Sequence, residues 1–191
     1  MIKKIKMRKF HIPTKEEVPE RDRKRFYALE ESMGKVPNVY AFLTHSETAL
    51  GSFLAFNGTP TAFCAQEAEI VSLITSQVNH CQYCLSAHTL MAKKAGLTDE
   101  QILEIRKGSV PFNEKWDTLA QMTCEMVNRH GDVRPETVDR FYEAGYTDAH
   151  LVDLVMLVAR TIITNYVNNV VHTPLDFPEV PVLVCKCDCG K

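Results

Sequence analysis

The sequence predicts an all-α fold, and three observations carry that prediction. Nearly every segment reads as helix between Pro, Gly and Asn punctuation, start and stop signals recur at helical lengths, and strand-like runs are almost missing. Charged sequence over about Glu20–Met33 forms a first helix that stops at Gly34, ahead of Val36-Pro37. Asn38 can cap a second helix through Phe56, which ends at Asn57-Gly58. Thr59-Pro60-Thr61 turns the chain into a third helix from about Cys64 to Val78. The fourth starts around Cys81 and ends at Ala95-Gly96, where glycine supplies a left-handed stop. Thr98-Asp99-Glu100-Gln101 has capping-box spacing and opens a short helix to Lys107. Asn113–Asn128, Pro135–Ala144 and Thr147 to about Asn168 complete a set of about seven or eight helices. Val180–Val184 is the one strand-like run.

Size and composition place these helices in one domain, residues 1–191, with an extended tail over about 172–191 where Pro174, Pro178 and Pro181 interrupt helix. The 45% hydrophobic content supplies enough burial to offset chain entropy, which excludes a disordered chain. Against 24 Asp+Glu stand 22 Lys+Arg, a net charge of −2, so the global basic field of a nucleic-acid binder is missing. The basic run at Met1–Lys9 is followed by no apolar h-region and does not read as a secretory signal. The apolar stretch Leu151–Val171 is broken by Asp153, Arg160 and three asparagines, and reads as a buried helix rather than a membrane span. Seven unevenly spread cysteines do not form a secreted disulfide framework, so a reducing cytoplasm is expected.

Chemistry concentrates in the window Glu69–His88, EIVSLITSQVNHCQYCLSAH. With Cys81 in the first turn of the fourth helix and Asn79 or His80 near its cap, Cys81, Cys84 and His88 share one face. A helical i,i+3 pair of cysteines lies within disulfide range, so it can close reversibly. The positive end of the helix dipole favours a thiolate there, and His88, one turn on, can take the proton of Cys84. Glu69 borders the apolar side of the third helix formed by Ile70, Leu73, Ile74 and Val78, with Ser72 and Ser76 on a polar stripe. If the third and fourth helices form a hairpin, Glu69 faces His88 and orients the imidazole; otherwise it is an exposed carboxylate.

The pattern E-x11-C-x2-C-x3-H resembles the signature of the AhpD-like alkylhydroperoxidase family, within the carboxymuconolactone decarboxylase superfamily. The likeness is tightest from Glu69 to Leu97 and extends to His172–Pro178, which is similar to the C-terminal segment of peroxidase-related members. The resemblance implies an all-α homo-oligomer, trimeric or hexameric, that reduces hydroperoxides with thiols. It makes Cys84 the peroxidatic thiol, Cys81 the resolving thiol, His88 the base and Glu69 part of the proton relay, with no cofactor or metal. The reductant it implies is an external dithiol or a lipoyl-type group. The chain departs from the alkylhydroperoxidase at Tyr83, where that enzyme carries a second histidine; a phenol is a poor base near neutral pH. Decarboxylases of the superfamily generally lack the paired cysteines.

Other readings of the same residues stay open. The fold can serve as a non-catalytic redox sensor or partner-binding module with the disulfide as switch. Cys81, Cys84 and His88 can also ligate zinc, with Glu69, His80 or water as the fourth ligand. Cys64 and Cys124 read as packed core thiols. Cys185, Cys187 and Cys189 in the tail suit soft-metal capture, thiol exchange or relay to Cys81, or are simply an oxidisable end. His45, His130 and His150 have no partner visible in sequence. Asp153, Arg160, Thr164 and Asn168 form a stripe that lines a cavity or interface, or holds an internal ion pair.

Overall fold

The computed structural model describes residues 8–183. Val184 and the tail cysteines Cys185, Cys187 and Cys189 lie outside the described residues. Nine helices are found among them: α1 (Glu20–Met33), α2 (Asn38–Leu43), α3 (Ala49–Asn57), α4 (Ala65–Val78), α5 (Gln82–Lys94), α6 (Asp99–Lys107), α7 (Glu114–Asn128), α8 (Pro135–Glu143) and α9 (Asp148–Val171). The sequence signals account for most of these bounds. Gly34 and Gly108 end α1 and α6 in the left-handed conformation, Thr98 and Gln101 close a capping box on α6, and the Asn113 side chain caps α7.

One helix expected over 38–56 is instead two. Thr44 interrupts it: its carbonyl accepts from Arg21 Nη2 at 3.1 Å, and its own hydroxyl donates back to the Ala41 carbonyl at 2.7 Å. Tertiary donors thus take a carbonyl that the next helical turn would need. Asn38 is the first residue of α2 rather than its cap; Pro37 is the cap, and the Asn38 side chain donates to the Pro174 carbonyl at 3.0 Å. The run 180–183 forms no strand, because side chains rather than a second strand take up its carbonyls.

The core is organised around α4, which packs against α5, α7 and α9. Ile70, Val71, Leu73 and Ile74 are fully buried, and each such side chain contributes about 1.5–3 kcal/mol of burial. A smaller cluster at the N-terminal end joins Val18, Phe26 and Leu29 to Leu43, Leu50 and Phe53. Glu125 of α7, fully buried, accepts from the Arg134 side chain and the Thr137 hydroxyl and ties α8 in place. Helix α9 is half-buried rather than buried. Leu154, Leu157 and Asn165 face the core, while Val152, Tyr166 and Val170 face outward. Among the described residues it is the one helix long and apolar enough to cross a membrane.

The asparagines of α9 explain its position. Asn165 donates to Ser76 Oγ at 3.1 Å and accepts from Asn79 at 3.0 Å, and Asn169 donates to the Asn79 carbonyl at 2.8 Å. These bonds fasten α9 to the turn between α4 and α5. After α9 the chain runs extended across the molecule as a strap. Gln82 binds the Val180 carbonyl at 2.5 Å, Arg106 the Pro181 carbonyl at 2.7 Å, and Gln77 the Leu183 carbonyl at 2.9 Å.

Candidate active site

The α4–α5 turn sets the geometry. Asn79 ends α4, His80 adopts a left-handed conformation at φ 53°, and Cys81 is the N-cap of α5 rather than a first-turn residue. Its amide donates to the Ser76 carbonyl at 2.9 Å, while its Sγ accepts from the Cys84 amide at 3.3 Å. The two cysteines therefore stand at N-cap and N3, where helix amides lack backbone partners. Both are free thiols and buried, with the Cys81 thiol directed at Cys84 Sγ, 2.7 Å away.

Cys84 is the better supported of the two as an anion. Asn168 Nδ2 of α9 donates to its sulfur at 3.2 Å, and the Thr164 hydroxyl lies at 3.9 Å. Burial opposes ionisation, but the Cys81 thiol, the charge of His88, and Asn168 and Asn165 outweigh it and bring the Cys84 thiol down to about 6. Cys81 moves the opposite way. Its thiol is used as a donor to Cys84, and burial and the Cys84 charge add to that, so it stays protonated.

His88 and Glu69 complete the chain. Packing of α4 against α5 places the Glu69 carboxylate 2.9 Å from His88 Nδ1, leaving Nε2 free of this contact. Burial lowers the basicity of His88, and the Glu69 carboxylate reverses that by charge and by hydrogen bond; the net shift is upward. The result favours imidazolium beside thiolate.

Glu69, Cys84 and His88 line a cavity of about 160 Å³ whose other walls include Met33, Phe53, Met91, Arg160 and Phe177. Tyr83 also faces it, and its hydroxyl accepts from the Val39 amide at 3.4 Å. Burial and the nearby Asp176 carboxylate hold that phenol protonated, so Tyr83 is no base. Asp176 in turn binds the Asn38 amide at 3.2 Å and Lys35 at 3.3 Å, fixing the strap so that Phe177 packs edge-on against Tyr83.

Several sequence readings change here. Cys64 is exposed, at the N-cap of α4, because capping draws it to the surface; Cys124 is buried as expected. The stripe on α9 divides: Asp153 accepts from the Ala62 amide at 2.6 Å, while Arg160, Thr164 and Asn168 line the cavity. His150 closes the start of α9 with Thr147, His45 lies 2.9 Å from the His11 carbonyl, and His130 takes a left-handed turn position. Among the described residues no group of three or more His, Cys, Asp or Glu is arranged to hold a metal. Asn165 and Arg106 have no motif to announce them; an asparagine inside an apolar helix was the available signal for the first.

Residues 49–119 match the sequence model of the Carboxymuconolactone decarboxylase family, a span that contains Glu69, Cys81, Cys84 and His88. The fold matches a peroxidase-related protein from Ralstonia eutropha JMP134, an alkylhydroperoxidase AhpD core, with TM-score 0.80, 18% identity, and 88% of this chain and 92% of that one covered. The fold is AhpD-like, and a sequence likeness to the Carboxymuconolactone decarboxylase family spans residues 49–119. A peroxidase-related protein from Silicibacter sp. TM1040 has the same AhpD-like fold, with TM-score 0.77, 18% identity and coverage of 91% and 95%. The debrominase Bmp8 is also similar in fold, with TM-score 0.71, 14% identity and coverage of 86% and 90%. None of the curated proteins compared with the chain matches it.

Proposed function

We propose that the chain is a thiol peroxidase in which Cys84 attacks a hydroperoxide and Cys81 resolves the product. The observation that carries this reading is a pair of contacts, Glu69 to His88 and Cys81 to Cys84, coupled by the charge of His88 acting on Cys84, with Cys84 as the thiolate and Cys81 as the proton-bearing neighbour.

In the resting site His88 holds the proton of Cys84. The thiolate attacks the distal peroxide oxygen, the O–O bond breaks, and the alkoxide leaves with a proton returned by His88, giving Cys84 sulfenic acid and an alcohol. Cys81 then condenses with the sulfenate, releasing water and forming the disulfide. An external dithiol attacks that disulfide, regenerates both thiols and leaves oxidised. The peroxide enters as a two-electron oxidant and the dithiol supplies two electrons, so the cycle balances. Because Cys84 is buried and lines the cavity, reductant and peroxide alike reach its sulfur by that route, which favours a slender dithiol over a broad protein surface.

Trapping checks the order of events. In Cys81→Ser, one equivalent of hydrogen peroxide is expected to leave a dimedone-reactive sulfenic acid on Cys84, mapped by mass spectrometry. A sulfenic acid on another cysteine, with Cys84 untouched, overturns the assignment.

A further inference from the structure

We infer that Arg160 is a carboxylate anchor in the Cys84 cavity, so that the site takes short organic anions, and among hydroperoxides those bearing a carboxylate. The word hydroperoxide rests on the proposed function; the anion site itself rests on the geometry of Arg160.

Most arginines in this protein have an acidic partner. Arg21 and Arg25 pair with Asp22, Arg129 and Arg134 with Glu125, and Arg23 with Glu20. Arg160 lies in the cavity wall, half-buried, and its guanidinium donates through Nη1 to the Asn57 carbonyl at 3.2 Å. Among the described residues no carboxylate is within ion-pair distance of it. Glu69, whose charge acts on it, is already committed to His88. A guanidinium carries five donors in a planar fork, and a partly desolvated one gains most from a carboxylate that can accept two of them.

The spacing along α9 gives the length of the ligand. Thr164 and Asn168, which flank Cys84 Sγ, are one and two turns beyond Arg160, about 6 and 12 Å along the axis. The cavity, about 160 Å³, matches in size one of roughly 150 Å³ that accepts benzene. A chain of about four to six carbons with a carboxylate at one end fits both limits. Val39, Phe53, Met91 and Phe177 supply apolar wall between the two polar ends. Hydrogen peroxide fits the same cavity without using Arg160.

Protection of Cys84 against iodoacetamide tests the anchor with no peroxide present, so its failure is separate from failure of the peroxidase cycle. Alkylation is followed on the Cys84 peptide of the reduced, full-length protein in rising pentanoate or in pentanamide, its neutral analogue of nearly the same shape. Pentanoate is expected to protect the wild type at about tenfold lower concentration than pentanamide, a difference of about 1.4 kcal/mol. Arg160→Gln is expected to bring the two to within about twofold, and Arg160→Lys to keep part of the preference. Equal protection in the wild type overturns the inference, and that arm stands even if the variants fail to fold. A preference that survives Arg160→Gln in folded protein also overturns it, because the anion is then drawn by His88.

Discussion

A thiol taken out of water resists ionisation, and Cys81 follows that rule while Cys84 does not. The difference lies in the balance of donors: Cys81 accepts from the Cys84 amide but gives its own proton to Cys84, whereas Cys84 receives both the Cys81 thiol and Asn168, and His88 adds positive charge. Alkylation of Cys84 by iodoacetamide should therefore rise with pH through about 6 and level off near neutrality. An unperturbed thiol would still be gaining rate near pH 8.5. The sign of the Glu69 effect follows. Glu69 raises the basicity of His88, so Glu69→Gln lowers the imidazolium population and with it the support for the Cys84 thiolate. The alkylation profile should move to higher pH, slowing the reaction at pH 6 by about two- to tenfold. An unmoved profile would show that Glu69 does not reach Cys84 through His88. The residue types and spacing of this chain were legible in the sequence, because a helix fixes which side chains share a face. Asn168 was legible only as part of a stripe, since its partner lies in a different helix.

Helix bounds were readable where the signal is local, as with the Thr98–Gln101 box and the Gly108 stop on α6. They failed where a distant side chain decides, as when Arg21 binds the Thr44 carbonyl and splits α2 from α3. The strap after α9 is the second such case. Prolines predicted its extended form, but its path is set by Gln77, Gln82 and Arg106, each of which reads as an ordinary polar residue on a helix. Arg106 is 1% exposed and bonds to Gln77 Oε1 at 3.0 Å and to the Pro181 carbonyl at 2.7 Å. Its removal leaves Oε1 of the buried Gln77 without this donor, at about 1–3 kcal/mol, and releases the carbonyl of the exposed Pro181. Arg106→Met should accordingly destabilise the fold by about 1–3 kcal/mol in urea titration and open residues 172–183 to limited proteolysis. Wild-type stability and an uncut strap would mean that Arg106 does not hold this segment down.

At the scale of the molecule, α4 carries the fold and the site together. Its apolar side builds the core through Ile70, Leu73 and Ile74, and Glu69 on the same helix meets His88 of α5. The asparagines that interrupt the apolar run of α9 lock that helix over the cysteines, so one set of bonds shapes both the packing and the cavity. Fold class was legible because it depends on local helix signals throughout the chain. The cavity was legible only in its α9 stripe of Arg160, Thr164 and Asn168, because its other walls come from residues as far apart as Met33 and Phe177, joined only by packing. Catalytic peroxide consumption tests the whole account most directly. With dithiothreitol as reductant and hydrogen peroxide or a small alkyl hydroperoxide as oxidant, the wild type should turn over many times. Cys84→Ser should fall to the uncatalysed rate, and His88→Ala should lose about 10²–10⁴-fold. Undiminished turnover in Cys84→Ser, or consumption that ends after one equivalent in the wild type, would contradict a Cys84-centred peroxidase.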